Sequence, residues 1–241
     1  MWYNEIIGKI KRKVLYQMIC VISDTHGDYS RFSHKALKKL GKNDFLIVCG
    51  DFGFVWDGSP KEAAVLKKIG SKRYTTLFLS GSHDNYKLLG EYPETDYLGG
   101  RARNICGSLY MLSPGSVFDL DGTSIFTFGG GHETDCEEIF AESGAENGTV
   151  TDEQRKNAES ALEACGNKVD YIFTYEPPQT IGEFLEMGSG KIPQAGALGI
   201  YFDMLRSRIS FKMWFFGKLH KNKLIPPKYA AVFDEPYIID K

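Results

Sequence analysis

The chain has 241 residues, of which 42% are apolar, 25% charged and 13% aromatic. That balance excludes disordered, collagen-like and coiled-coil architectures. Lys plus Arg number 29 against 31 for Asp plus Glu, a net charge of -2. No global field therefore draws the chain to nucleic acid or an acidic membrane, and any phosphate-binding surface must be local.

Lys9, Lys11, Arg12 and Lys13 precede the apolar stretch Val14 to Ile22, an outline that superficially suggests a signal peptide. The stretch is short, contains Gln17, lacks a small-residue cleavage site and runs straight into Ser23-Asp24. It reads as the first core strand. Residues 1–17 read as a short extension, either helical or the product of an upstream start. Residues 18–241 read as a single domain. No apolar run approaches the roughly 20 residues of a membrane span.

Three units then repeat one pattern. Met18–Ile22 is followed by Ser-Asp-Thr-His-Gly-Asp and a stretch Tyr29–Leu40 with apolar residues at helical spacing. Phe45–Cys49 is followed by Gly50-Asp51-Phe52-Gly53 and a helix over Pro60–Ile69. Thr75–Leu79 is followed by Ser80-Gly81-Ser82-His83-Asp84 and a helical piece from Asn85. Such units predict a parallel sheet flanked by helices.

Further on, Ser116–Leu120 and Thr123–Phe128 flank Asp121-Gly122, a hairpin signal. A helix is predicted over Glu153–Cys165, a strand over Val169–Thr174 ended by Pro177-Pro178, and a helix over Gly196–Arg208. Strand Phe211–Phe216 follows, and Lys223–Ile225, Ala230–Phe233 and Tyr237–Ile239 read as closing antiparallel strands. The predicted class is a mixed α/β core with two sheets. Cys20, Cys49, Cys106, Cys136 and Cys165 form no C-x-x-C pair, and read as free thiols in a reducing, cytoplasmic setting.

In α/β sheets, ligands gather at the carboxyl ends of strands. Those ends carry Asp24 and His26, then Asp51, then Ser82, His83 and Asp84, then Tyr175 and Glu176, then Lys218 and His220. Carboxylates and imidazoles converging from separate strands suit a divalent metal. The order Asp-x-His, Gly-Asp, Gly-x-His-Asp and Gly-x-x-His resembles the calcineurin-like metallophosphoesterase family over nearly the whole chain after residue 17. The resemblance implies a two-sheet sandwich flanked by helices, in α/β/β/α layers.

The resemblance also implies two metal ions, commonly Mn, Fe or Zn, sharing a bridging Asp. The first would be held by Asp24, His26, Asp51 and His220, all present. The second would need an Asn and two His where this chain has Ser82, Tyr175 and Lys218. One divalent ion is therefore expected, without a second. An ammonium repels a cation by on the order of 4 kcal/mol at 4 Å with an effective dielectric of 20, so Lys218 opposes a second ion. It is expected to stand in that ion's place and pair with Asp51; the alternative is a lysine stretched out to solvent. By resemblance His83 is the general acid, oriented by Asp84, with Lys218 stabilising phosphoryl oxygens.

Two functions follow. One is a one-metal hydrolase of phosphodiesters or phosphomonoesters, acting on a phosphorylated small molecule or nucleotide. The other is a pseudoenzyme that binds a phosphorylated ligand, nucleotide or protein partner. Other candidates carry less. His132 after Gly129-Gly130-Gly131 lines the pocket or caps a strand, and Glu176 is a replacement carboxylate or part of a proline turn. Trp56 stacks a base or packs. Lys221, Lys223 and Lys228, like Arg101 and Arg103, guide an anion or form solvated faces. The Gly129–Gly131 stretch lacks mononucleotide-motif spacing.

Overall fold

Apolar residues on both faces of short strands require partners on both sides, and the chain meets this with two sheets stacked between helices. The computed structural model describes residues 17–131, 150–187 and 196–240. The reading of residues 1–17 as an extension, together with His132 and Cys136, therefore lies outside the described residues except for Gln17, which is buried.

Strands β1 (Met18–Ile22), β2 (Phe45–Val48) and β3 (Thr75–Phe78) are parallel neighbours, with Ile22, Val48 and Phe78 in register. They belong to a seven-stranded sheet of order β13-β1-β2-β3-β6-β5-β4. Its other members are β4 (Glu94–Tyr97), β5 (Gly100–Cys106), β6 (Leu109–Leu112) and β13 (Tyr237–Asp240). A six-stranded sheet has the order β11-β12-β10-β9-β8-β7. It is built from β7 (Ser116–Asp119), β8 (Ser124–Phe128), β9 (Tyr171–Thr174), β10 (Met213–Phe216), β11 (Lys223–Ile225) and β12 (Tyr229–Ala231).

Alternation along each strand sorts the core. Ile19, Val21, Ile47, Leu77, Ile125, Phe173 and Phe215 meet between the sheets. Cys20, Ile22, Leu46, Val48 and Phe78 face outward onto α1 (Pro60–Gly70) and α2 (Tyr86–Glu91), through Leu66, Ile69 and Leu89. Phe126, Ile172, Trp214 and Phe216 face α3 (Asp152–Ala164) and α5 (Ala197–Arg206), through Leu162, Leu198 and Phe202. These are the layers of the expected α/β/β/α sandwich.

Three local readings change. Tyr29–Leu40 is not a helix but two short 3-10 turns, Tyr29–Ser33 and Leu37–Lys39. His34 is extended between them and its Nδ1 accepts from the Ala36 amide at 3.2 Å, a local bond that competes with helix formation. Strands β4 to β6 and helix α4 (Gln179–Glu186) are additional. The final strands do not all close antiparallel: β12 runs parallel to β10, while β13 crosses to the other sheet against β1.

Candidate metal centre

The carboxyl ends of β1, β2 and β3 meet those of β9 and β10 where the two sheets come together. The Ser23 hydroxyl donates to the Cys49 carbonyl at 2.8 Å, and the His26 amide donates to the Asp51 carbonyl at 2.9 Å. From the other sheet, the Gly217 amide donates to the Tyr175 carbonyl at 3.1 Å. A Cβ on Gly217 would lie 1.9 Å from Ser23 Oγ and 2.5 Å from the Cys49 carbonyl oxygen, so only glycine permits this approach. Eight non-glycine residues among those described have positive φ, and five of them are Asp24, His26, Asp51, Lys218 and His220. Left-handed backbone is disfavoured for such residues and concentrates at sites that need it.

All four residues expected to hold one ion come together. Asp24 is 1% exposed, and neither of its carboxylate oxygens accepts a hydrogen bond. His220 Nε2 lies 3.5 Å from Asp24 Oδ1. His26 Nε2 lies 3.1 Å from His220 Nε2 and 3.8 Å from Asp51 Oδ2. The donor atoms of Asp24, His26 and His220 fall within 4.8 Å of one another, as do those of His26, Asp51 and His83. Carboxylates and imidazoles fit a first-row divalent cation, and the buried Asp24 carboxylate, with no hydrogen bond on either oxygen, suits a cation placed against it.

The other half of the site is filled by the chain itself. The Tyr175 ring occupies space that a Cβ on Gly50 would enter, at 2.2 Å from Tyr175 Cδ2. Its hydroxyl donates to Asp51 Oδ2 at 2.9 Å and lies 2.8 Å from Ser82 Oγ. His83 Nδ1 is 2.9 Å from the same Asp51 oxygen, and the His83 amide donates to Asp51 Oδ1 at 2.9 Å. Burial works to raise the pKa of Asp51, but the bonds from His83 and Tyr175 hold it below the ordinary carboxylate range.

Lys218 takes a different partner from the one expected. Its ammonium donates to Glu176 Oε1 at 2.7 Å and lies 5.8 Å from the centre of the Tyr175 ring, while Tyr175 and His83 take Asp51 Oδ2. The Lys218 side chain is 23% exposed and that of Glu176 9%, so the lysine does not stretch out to solvent. Glu176 is thus a buried carboxylate at the site as well as the residue before the proline turn.

Asp84 also differs in role. Its carboxylate accepts from the backbone amides of Gly53 at 2.9 Å and Gly81 at 2.8 Å, with a longer contact to Phe52, rather than from the His83 ring. It ties the loop after β2 to the loop after β3. Burial, reinforced by the Asp51 charge, pushes it up to about 7.

The outer candidates are mostly engaged elsewhere. Lys221 pairs with Glu186, and Lys228 lies over the Phe211 ring. Lys223 is exposed on β11. Arg101 pairs with Glu94 and Asp96, and Arg103 donates to the Tyr92 carbonyl. Trp56 is 42% exposed on a loop whose amides are gathered by Glu62. Gly130 donates to the Ser80 carbonyl at 2.7 Å, so the glycine stretch packs against the end of β3. Arg31 and Phe233 stand outside these candidates and touch the site from behind. Arg31 lies within the first turn after β1 and could have been flagged on position; Phe233 carries no sequence signal.

No curated protein matches the chain. Among solved structures it is similar to a phosphopantetheinyl hydrolase from Mycobacterium tuberculosis, with 13% identity, 90% of each chain covered and a TM-score of 0.36. It is also similar to a protein of unknown function from Aquifex aeolicus, with 15% identity, 81% of this chain and 88% of the other covered, and a TM-score of 0.35. The family described as calcineurin-like phosphoesterase matches residues 18–190, a span that holds Asp24, His26, Asp51, His83 and Tyr175. With most of its length matched, the chain belongs to the calcineurin-like phosphoesterase family.

Proposed function

We propose that the protein hydrolyses a phosphate ester of a small molecule or nucleotide, with one divalent cation held by Asp24, His26, Asp51 and His220. The observation that carries this reading is the buried Asp24 carboxylate, which has no hydrogen bond and faces His220 beside His26. These residues would hold a divalent ion such as Mn, Fe or Zn, which would supply polarisation of a phosphoryl oxygen and a water of lowered pKa. Asp51 is fixed in orientation by Tyr175 and His83. With Nδ1 of His83 engaged by Asp51, Nε2 is the atom at which this ring gives a proton to the leaving oxygen. Lys218, held by Glu176, places one positive charge beside the site, where a phosphate oxygen would compete for it. The four described cysteines are free, which supports a reducing, cytoplasmic setting; no helix among the described residues is long and apolar enough to cross a membrane.

The test is metal content and turnover together. Protein loaded with Mn2+ is expected to bind one ion per chain and to hydrolyse bis(p-nitrophenyl) phosphate or p-nitrophenyl phosphate, and Asp24→Ala is expected to abolish both. Absence of bound ion at millimolar Mn2+ would overturn the reading. The Tyr175 and Ser82 hydroxyls packed onto Asp51 favour a second reading, a binding protein without turnover. Under that reading the natural chain binds a nucleotide but is inert, and Ser82→Asn, Tyr175→His and Lys218→His together gain Mn-dependent hydrolysis.

A further inference from the structure

Asp24 and His220 come from different sheets, and both hold left-handed backbone, with φ of 50° and 48°. Neither conformation is one that a free chain would favour. Residues outside the ligand set hold them. The guanidinium of Arg31 donates to three main-chain carbonyls: Nη1 to Asp24 at 3.1 Å, and Nη2 to Ser23 at 2.9 Å and Phe233 at 2.6 Å. The first two belong to the turn that presents Asp24. The third belongs to the segment after β12, in the other sheet. The Ser23 amide closes the same junction by donating to the Phe233 carbonyl at 3.0 Å.

The side chain of Phe233 continues the connection. Arg31 lies over its ring at 4.9 Å from the centroid. The His220 imidazole is stacked on the same ring, at 4.9 Å between centroids and 24° between planes. One guanidinium thus fixes the backbone of Asp24 and, through Phe233, the plane of the His220 ring. A planar fork with five donors can bridge three carbonyls, whereas a lysine ammonium cannot reproduce that geometry together with the stacking. Arg31 also sets a fixed positive charge near the Asp24 carboxylate, which has no hydrogen-bond donor of its own.

We infer that Arg31 and Phe233 are positioning residues that preset Asp24 and His220 as ligands across the two sheets before a cation arrives. The inference deepens the one-ion reading and rests on it for its consequence. Its geometric content, however, can be read in the metal-free protein. Groups that orient ligands typically change metal affinity by about 10–100-fold when removed.

The experiment uses the full chain with Arg31→Met, Arg31→Lys, Phe233→Leu and Phe233→Tyr. In the metal-free protein, the His220 ring protons, assigned with His220→Gln, are expected upfield because they lie over Phe233. Phe233→Leu should remove that shift and leave the His83 signals in place; Phe233→Tyr should retain it. By calorimetric titration with Mn2+ alone, Arg31→Met and Phe233→Leu are expected to lose about 10-fold or more in affinity. Arg31→Lys should fail to rescue, and Phe233→Tyr should stay near the natural value. Natural affinity in both Arg31→Met and Phe233→Leu, or His220 signals unmoved in Phe233→Leu, would overturn the inference. Should Arg31→Met fail to fold, the Phe233 pair decides alone. Should the natural protein bind no Mn2+, the one-ion reading fails, while the His220 signals still report whether the stack exists.

Discussion

A carboxylate with 1% exposure and no hydrogen bond on either oxygen is costly to the fold. Leaving a buried polar group unsatisfied costs about 1–3 kcal/mol, and more for a charged one. Asp24→Asn removes the charge and keeps the shape. The metal-free variant is therefore expected to melt a few degrees above the natural chain, since 1 kcal/mol corresponds to roughly 2–4 °C at 150–250 residues. Added Mn2+ should raise the melting temperature of the natural chain by mass action but leave Asp24→Asn unmoved. Thermal scans with and without Mn2+ check both statements, and a lower melting temperature for the metal-free variant would show that Asp24 is satisfied in solution. The positions of Asp24, His26, Asp51 and His220 were legible in the sequence because each follows a strand. The partner of Lys218 was not, because the placement of Tyr175 beside Gly50 determines which carboxylate lies within reach of the ammonium.

Elements with regular periodicity were legible in the same way. The α1 helix begins as the Pro60 signal predicts, with the Ser59 hydroxyl accepting from the Glu62 amide. The β7–β8 hairpin turns on Asp121-Gly122, both with positive φ. The β4–β5 hairpin was missed for a physical reason. Its two-residue turn is Leu98-Gly99, with φ of 48° and 90°, and a leucine gives no turn signal. β5 is further disguised by an irregular register between Asn104 and Cys106. Left-handed backbone costs an ordinary residue roughly 1–2 kcal/mol, and Asn tolerates it better. Because Leu98 is 39% exposed, Leu98→Asn gives up little packing. It is expected to stabilise the chain by about 0.5–1 kcal/mol, part of that strain, as read from a higher urea midpoint at unchanged slope. A lower midpoint would mean that the leucine side chain, not the turn, holds the hairpin.

At the scale of the molecule, the site is a seam. Asp24, His26 and Asp51 follow strands of the seven-stranded sheet, and His220 follows a strand of the six-stranded one. Gly217 is where the seam is tightest, with a Cβ position 1.9 Å from Ser23 Oγ. Gly217→Ala must push the sheet ends apart. Overpacking of this kind costs about 1–3 kcal/mol, and displacement of His220 should weaken Mn2+ binding in the same variant. Calorimetry and denaturant titration together check this; an unchanged midpoint with natural ion affinity would show that the seam yields freely. The helix-flanked parallel sheet could be read from repeated strand–turn–helix units, and the sandwich from the family resemblance, but the crossing of β13 to β1 could not, because pairing across the whole chain leaves no local pattern. The Lys218–Glu176 pair has a consequence in electroneutrality. Asp24, Asp51 and Glu176 bring three carboxylates to the two halves of the site, and Lys218 and Arg31 bring one positive charge each. Among these groups one negative charge remains, so under the one-ion reading a divalent cation already reverses its sign, and a second ion would add two further positive charges to the interior. Under that reading the site exerts little long-range pull on an anion, and a phosphate is expected to be recognised at contact distance, with affinity that varies little with ionic strength.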